Sequence, residues 1–161
     1  MKAVFLALIL LFSGAVHAME SRSLNKEETE GLEQERNWVI DLLKGHGSDI
    51  KLEKNKSDLK TLQTILENGP YTNDAESELI VLGTVYGDIL ASELGLHWVV
   101  VTDEHGEDIG LQYKNTKIFL FPRDMIIKRI EKNEEPDLTF MFNELKKTVE
   151  DMINDPSIEG N

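Results

Sequence analysis

The sequence predicts an α+β fold made of N-terminal helices, an antiparallel meander of three to four strands and a C-terminal amphipathic helix. Apolar residues recur at helical spacing up to Leu94, the spacing changes to two between Leu96 and Phe121, and helical spacing returns after Asp137. Helices and strands therefore occupy separate parts of the chain. This order is typical of an α+β domain and not of alternating βα units.

The first eighteen residues predict a cleaved signal peptide. Lys2 precedes an apolar run from Ala3 to Phe12, and the small residues Val16 and Ala18 suit a signal peptidase. The apolar run is too short to anchor the chain across a bilayer. We therefore expect cleavage near Ala18, a periplasmic or secreted protein, and no membrane anchor.

The mature chain is predicted to begin with a polar leader at residues 19–24. Asn25 and Glu28 form a capping-box pattern at the start of an amphipathic helix that ends at Gly45, and residues 45–56 have the composition of a linker. Cleavage leaves 143 of the 161 residues, enough for one compact domain. The predicted organisation is a signal peptide (1–18), an N-terminal helix and linker (19–56) packed on a single α+β domain (57–154), and a frayed tail (155–161).

Two further helices are predicted before the strands. Ser57 is the expected cap of a short helix that Gly69 and the following proline end, and Asn73 with Glu76 is the expected cap of the next. That third helix, from about residue 74 to 94, has the broadest apolar face of the mature chain and is predicted to be the central core helix.

Gly83 and Gly87 stand one turn apart in the third helix, where each glycine costs about 1 kcal/mol relative to alanine. We expect a structural compensation, in which a strand or another helix approaches closely over a groove without side chains. A ligand role is the alternative, and it is less favoured.

The strands are predicted at residues 97–101, 109–113 and 117–121, with Gly106 in the hairpin connection between the first two. Residues 124–131 fit either a helical turn or a fourth strand, and we favour a short helix or turn that leads into an edge strand. The last helix is predicted to begin after the cap Asp137 and to end before Pro156.

Three motifs carry a resemblance to a known family. They are Leu82-Gly83-x-x-x-Gly87, the run Leu94-Gly95-Leu96-x-Trp98-Val99-Val100-Val101-x-Asp103-x-x-Gly106, and Phe121-Pro122-x-x-Met125-Ile126-x-Lys128-Arg129. Together they resemble a bacterial family known as domain of unknown function 3806, over roughly residues 74–153. The resemblance implies a small bacterial α+β domain, often in exported proteins, with no assigned activity or site.

Composition excludes several classes of function. The chain has no cysteine, which excludes a cysteine nucleophile, a thiolate metal site and a lipoprotein anchored through cysteine. Its formal net charge is −13, and removal of residues 1–18 takes away Lys2 and no acid, which gives −14. Such a surface disfavours nucleic acid and anionic lipid and favours a cationic protein or peptide partner. Acidity that serves solubility alone is the simpler alternative.

The densest polar cluster surrounds the predicted hairpin turn and comprises Asp103, Glu104, His105, Glu107 and Asp108. The spacing, even with His97 added, matches neither a calcium loop nor a zinc site, so we predict a solvated hairpin tip and no metal, cofactor or catalytic residue. Glu104, Glu107 and Asp108 are candidate interaction residues, expected to matter more than the acids at positions 27, 28 and 30.

Lys128 and Arg129 are adjacent cations in an apolar stretch. A functional interpretation makes Arg129 a clamp for an anion or carboxylate. The favoured interpretation is an internal ion pair with an acid such as Asp88 or Asp124, or an edge-strand gatekeeper. Trp98 is predicted to be a core anchor and not a platform for sugar stacking.

These observations favour a soluble exported interaction domain without enzymatic activity. A sharper version is an inhibitor or immunity factor for a basic enzyme that acts on the cell wall. The alternatives are a carboxylate-dependent hydrolase of cell-wall or glycan substrates and an accessory factor in envelope assembly whose first two helices dock on a larger complex. No oligomeric state is predicted.

Overall fold

A computed structural model describes residues 19–45, 51–69 and 75–155. Its elements are β1 (Glu20–Ser23), α1 (Lys26–Gly45), α2 (Asp58–Asn68), α3 (Glu76–Leu94), β2 (Leu96–Asp103), β3 (Gly106–Tyr113), β4 (Phe119–Leu120), α4 (Pro122–Glu131) and α5 (Leu138–Ile153). The predicted signal peptide, the expected cap Asn73 and the tail after residue 155 lie outside the described residues. Within the described ranges, no helix is long and apolar enough to cross a membrane.

The four strands form one antiparallel sheet in the order β1-β2-β3-β4. The predicted hairpin joins β2 to β3 in continuous register from Leu96↔Tyr113 to Asp103↔Gly106. Gly106 has a φ of 132°, a backbone conformation that residues with a side chain rarely adopt. The combination of this sheet with five helices in the described chain confirms the predicted α+β class.

The fourth strand is not where the sequence indicated. It is β1, formed by residues predicted to be a polar leader, and it pairs with β2 through Ser21↔Val101 and Ser23↔Val99. All four β1 residues are exposed and polar, so no alternation of apolar and polar residues marked the strand. The unpaired edge of β2 supplies the reason for this strand, and that edge is a property of the folded sheet.

Residues 124–131 belong to a helix and no edge strand follows them before α5 in the described chain, so that part of the prediction was wrong. Pro122 occupies the first turn of α4, where its missing N–H leaves no hydrogen bond unmade. The preceding strand β4 is only two residues long. A turn closed by a hydrogen bond from the Tyr113 N–H to the Ile118 carbonyl oxygen (3.1 Å) comes directly before it, and α4 begins two positions after it ends.

The core lies between one face of the sheet and the helices, and α3 runs through its centre. Nine consecutive residues of α3, from Leu82 to Leu90, are buried, which is the pattern of a helix surrounded on all sides. This confirms the predicted central helix. A smaller apolar cluster of Val99, Val101 and Phe119 lies on the other face of the sheet, with Met19 and Phe121 packed against it.

Of the three predicted helix caps that lie within the described residues, the structure confirms two. Asn25 and Glu28 form the predicted capping box, in which the Glu28 N–H donates to Asn25 Oδ1 (2.9 Å) and the Asn25 N–H donates to Glu28 Oε2 (2.7 Å). Asp137 caps α5 by accepting from the Phe140 N–H (2.9 Å). Ser57 makes no side-chain capping bond, so its predicted role was wrong.

The cap of α5 is expected to contribute measurably to stability. Asp137→Ala should lower the free energy of unfolding by about 1 kcal/mol, because it leaves a helix N–H without its acceptor. Ser57→Ala is the matched control and should change it by less than about 0.5 kcal/mol. Urea unfolding at constant m-value measures both. Equal losses in the two variants would contradict this account of the caps.

Candidate functional site

Arg22 joins three elements at one end of the sheet. Its guanidinium donates to both carboxylate oxygens of Glu28 on α1 (Nη1–Oε2 2.9 Å, Nη2–Oε1 2.8 Å) and to Glu107 on β3 (Nη2–Oε2 3.1 Å). The hydrogen bonds from Arg22 lower the pKa of Glu28 and those carboxylates raise the pKa of Arg22. We call the surface around Arg22 the acidic end; it contains Glu28 and Glu107, which bond to Arg22, and Glu20, which flanks the same position of β2 as Glu107.

The strand register brings the acids of the acidic end together. Glu20 pairs with Thr102, and Thr102 pairs with Glu107, so the two glutamates flank one position of β2. The capping box then holds Glu28 close to Asn25, directly after β1. Glu28 of α1 and Glu107 of the hairpin, which belong to two clusters that are separate in sequence, are thus joined through Arg22.

The hairpin tip is solvated, with Glu104, His105 and Glu107 all exposed. Asp103 shapes the turn by accepting from the His105 N–H (2.7 Å). His97 lies at the far end of β2 from this tip. Among residues 19–45, 51–69 and 75–155, no three His, Asp or Glu side chains are placed to hold a metal ion.

Asp108 follows the tip on β3 and lies near the first turn of α4. Neighbouring atoms desolvate its carboxyl group and raise its pKa, although the residue as a whole is exposed. The Ile109 N–H donates to this carboxylate at 2.7 Å and opposes the shift. Asp108 is therefore more constrained than Glu104, which has no such backbone contact among its described bonds.

A buried ionic network links α1, α3 and β2. Arg36 donates to both oxygens of Asp88 (Nε–Oδ2 2.6 Å, Nη2–Oδ1 2.8 Å), and the Trp98 indole donates to the same carboxylate (Nε1–Oδ1 2.9 Å). The hydrogen bonds to Asp88 raise the pKa of Arg36, which keeps the guanidinium charged. Trp98 is half-buried and packed against the core, with its polar atom bonded, as its predicted anchoring role requires.

A second ionic contact lies beside the first, where Glu35 is adjacent to Arg36 on α1 and Thr84 lies one turn before Asp88 on α3. Glu35 accepts a hydrogen bond from the Thr84 hydroxyl and an ion pair from Arg123 (Nη2–Oε1 2.7 Å). Glu35 and Asp88 are therefore each bonded to an arginine from another element. This is the arrangement of structural ion pairs and not of two carboxylates facing each other across a cleft.

The paired glycines of α3 accommodate other elements at very short distances. A Cβ on Gly83 would lie 2.5 Å from the Cα of Arg123, and a Cβ on Gly87 would lie 2.5 Å from the Trp98 ring and 2.7 Å from Pro122 Cγ. No real Cβ contact is that short, so neither position has room for a side chain.

The adjacent cations of α4 have different partners. Lys128 bonds to Asp124 one turn earlier (Nζ–Oδ2 3.0 Å), and Arg129 bonds to Glu134 in the loop before α5 (Nη1–Oε2 3.3 Å). Asp88, the other acid suggested from the sequence, bonds to Arg36 instead. Neither cation lies on an edge strand, so the gatekeeper interpretation was wrong.

Arg129 also lines a groove between α4 and α5, which the sequence did not reveal. The residues of this groove are Met125, Arg129, Phe140, Met141, Glu144, Leu145 and Thr148. Burial lowers the pKa of Arg129 and raises that of the neighbouring Tyr86. The Tyr86 hydroxyl has no hydrogen-bond partner among the described residues, an arrangement that costs about 1–3 kcal/mol.

Comparison with known families identifies the domain. A family model described as domain of unknown function (DUF3806) matches residues 58–142, more than half of the chain. The chain belongs to this family. The DUF3806 match confirms the resemblance seen in the sequence, but it begins earlier, at α2, and ends within α5. It therefore contains Tyr86, Trp98 and Arg129 and excludes β1 and α1.

The DUF3806 fold also occurs in a larger protein. A crystal structure of a protein from Bacteroides thetaiotaomicron VPI-5482 matches 84% of this chain with a TM-score of 0.69 and 17% sequence identity. At this identity the likeness shows the fold alone. The chain spans 50% of the length of that protein. No curated protein matches the chain.

The close contacts at the α3 glycines give a first prediction for this region. Gly83→Leu and Gly87→Leu should each lower the free energy of unfolding by about 1–3 kcal/mol, because the new side chains have no space. Gly31→Ala on α1 is the control, since a Cβ there meets nothing within 4 Å, and it should raise stability by up to about 1 kcal/mol. Thermal unfolding compares the three variants. A higher melting temperature for both leucine variants would exclude the close contacts.

The acidic end gives a prediction about pH. Because the folded-state pKa of Glu28 lies below its unfolded value, its pairing with Arg22 contributes stability above the unfolded pKa and loses it as the pH falls through the folded pKa. Arg22→Gln should return the pKa of Glu28 towards its ordinary value of about 4.3, measured by carboxyl-carbon NMR titration. Lys26→Gln removes an equal charge from the same turn and should leave Glu28 nearly unchanged. Identical titration of Glu28 in all three proteins would refute the ion pair.

Proposed function

We propose that this chain is an exported interaction domain without enzymatic activity, and that it binds a cationic segment of another protein through the acidic end. The observation that carries the proposal is the position of Arg22 between Glu28 and Glu107. Arg22 of β1 thereby joins Glu28 of α1 to Glu107 of the β2–β3 hairpin. A rigid, concentrated charge of this kind attracts a cationic partner and orients it.

Charge and rigidity support the acidic end over a purely solubilising role for the acids. The mature chain has a net charge of −14, yet the carboxylates of the buried Asp88 and the half-buried Glu35 are already paired with arginines. At the acidic end one arginine, Arg22, bonds to two carboxylates, those of Glu28 and Glu107. The sheet register and the capping box fix those acids without help from a partner, which lowers the entropic cost of binding.

The same observations favour an interaction domain over a hydrolase. Asp88 and Glu35, the carboxylates with the best-defined surroundings, are bonded to Arg36 and Arg123. An inhibitor or immunity factor for a basic cell-wall enzyme remains the sharpest version of the proposed function. An envelope-assembly factor that docks through its first two helices is a weaker version, because α1 is bonded to α3 by the Arg36–Asp88 pair.

Binding kinetics test the proposal. The protein is first recovered from the periplasmic fraction, where its mass should correspond to a chain that begins at Met19, and its partner is captured from the same extract. The association rate should fall steeply with added salt, because exposed charges are screened beyond about 10 Å at 0.1 M ionic strength. Reversal of Glu104, Glu107 and Asp108 to lysine should slow association by at least about tenfold.

Two further variants make the binding test specific. Reversal of the acids at positions 27, 28 and 30 should also slow association, because these acids belong to the same end of the molecule. Reversal of the exposed Glu67, Glu135 and Asp151, none of which lies on β1, α1 or the hairpin, changes the net charge equally and should have a much smaller effect. Equal effects of all three triple variants, or binding insensitive to salt, would mean that the acidity serves solubility alone.

A further inference from the structure

β1 is an exposed edge of the sheet. It lies at one end of the order β1-β2-β3-β4, and all four of its residues are exposed, whereas both residues of β4 at the other end are buried. Among the described residues, the backbone of β1 bonds only to β2, apart from a 3.4 Å contact from Arg22 Nη1 to the Ser23 carbonyl oxygen. Antiparallel strands bond through alternate residues, so half of the N–H and C=O groups of β1 face away from β2 and can pair with a further strand.

β1 lacks most of the features that protect edge strands from pairing. Exposed edges are commonly blunted by lysine, proline, a bulge or a covering helix, as well as by shortness. Of these features β1 has only its length of four residues, because its sequence, Glu20-Ser21-Arg22-Ser23, contains no lysine or proline and its register with β2 is continuous. The Arg22 side chain reaches Glu107 on β3 (3.1 Å), which lies beyond β2, so this cation extends away from the free edge.

The charges beside this edge favour a cationic strand. Side chains alternate between the two faces of a strand, so Glu20 and Arg22 share one face of β1 and its two serines share the other. Arg22 is bonded to Glu28 and Glu107, so the three carboxylates of the acidic end outnumber its arginine by two. On an added strand, the residue directly opposite Glu20 would lie about 4.5–5.5 Å away between Cβ atoms, a distance at which opposite charges attract.

A second copy of the chain suits the edge less well than a cationic partner does. Two mature copies each carry a formal net charge of −14 and repel each other. Arg22 is the β1 cation that would have to pair with Glu20 of another copy, and its guanidinium is already bonded to Glu28 and Glu107. The edge therefore fits a strand that brings its own lysine or arginine.

We propose that an extended cationic segment of the partner protein adds to the sheet as a further strand beside β1. Its backbone bonds to the outward N–H and C=O groups of β1, a lysine or arginine lies opposite Glu20, and uncharged side chains lie on the face of the two serines. Main-chain bonds then supply affinity, and alternate side chains supply specificity. This binding mode rests on the proposed function, because it describes how the acidic end binds its cationic partner.

Backbone N-methylation tests strand addition separately from charge attraction. The probe is acetyl-Thr-Lys-Val-Lys-Val-Thr amide, whose two lysines share one face of an extended chain. It is compared with one peptide N-methylated at both lysines and one N-methylated at both valines, because each change removes the N–H groups along one edge of the peptide and leaves the charge unchanged. We expect one modified peptide to bind the mature protein at least about tenfold more weakly than the probe, through its lost hydrogen bonds. The other should bind as the probe does, since its N–H groups towards β1 are intact.

Amide hydrogen exchange and one matched pair of variants locate the added strand. When the probe binds, exchange of the β1 amides that do not bond to β2 should slow, while the amides of α5 keep their rates. Glu20→Gln should weaken binding by about twofold to fivefold, the effect of one exposed charge pair. Glu135→Gln, the same change at an exposed residue of the loop before α5, should leave binding unchanged.

Three results would overturn strand addition. Equal binding of all three peptides without slowed exchange in β1 would mean that the acidic end attracts charge alone, and the proposed function would stand. Absence of probe binding at millimolar concentration would also overturn it, whereas the proposed function is tested separately by the salt dependence and the triple variants with the captured partner. A dimer of the mature protein that slows exchange of the same β1 amides without peptide would show that a second copy occupies the edge.

Discussion

The close approach of two elements to the backbone of α3 at Gly83 and Gly87 determines most of the architecture. Because neither position carries a side chain, α4 lies against Gly83 and the ring of Trp98 lies against Gly87. The ring position brings the Trp98 indole to Asp88, and α4 brings Arg123 to Glu35. One helix surface thus positions a strand and another helix, and it also positions the ionic groups that hold α1.

Ionic contacts buried in this way specify geometry more than they add stability. Replacing a buried pair by apolar residues is often neutral, whereas removing one partner costs about 3–5 kcal/mol, because the other charge is left without compensation. The Arg36–Asp88 pair therefore makes one placement of α1 strongly preferable to any other. This matters for the acidic end, since α1 and β1 lie outside the residues that the family model matches. Membership of the family supplies the scaffold, and the N-terminal segment adds the surface that we propose to be functional.

The elements with strong periodicity could be predicted from the sequence, and the contacts between elements could not. The central helix, the β2–β3 hairpin and the Asp137 cap follow from apolar spacing and local capping chemistry, which act within a few residues of the chain. β1 has no apolar alternation and exists because β2 offers an edge. The sequence also suggested Asp88 as an ion-pair partner for the cations of α4. This was incorrect because Asp88 bonds to Arg36, which lies 52 residues away in sequence. The groove at Arg129 likewise depends on how α4 and α5 pack, which neither helix reveals alone.

The arginines organise the carboxylates of this acidic chain. The sequence has only four arginines, and each bonds to a carboxylate of another element or loop: Arg22 to Glu28 and Glu107, Arg36 to Asp88, Arg123 to Glu35 and Arg129 to Glu134. A planar guanidinium holds carboxylates in fixed geometry, which a lysine does less well. Arg22, Arg36 and Arg123 each have at least one carboxylate contact of 2.8 Å or less, and the second carboxylate of Arg22, that of Glu107, lies at 3.1 Å. The acidic end is therefore a surface on which Arg22 organises exposed carboxylates, whereas Arg36 and Arg123 hold their carboxylates between packed helices.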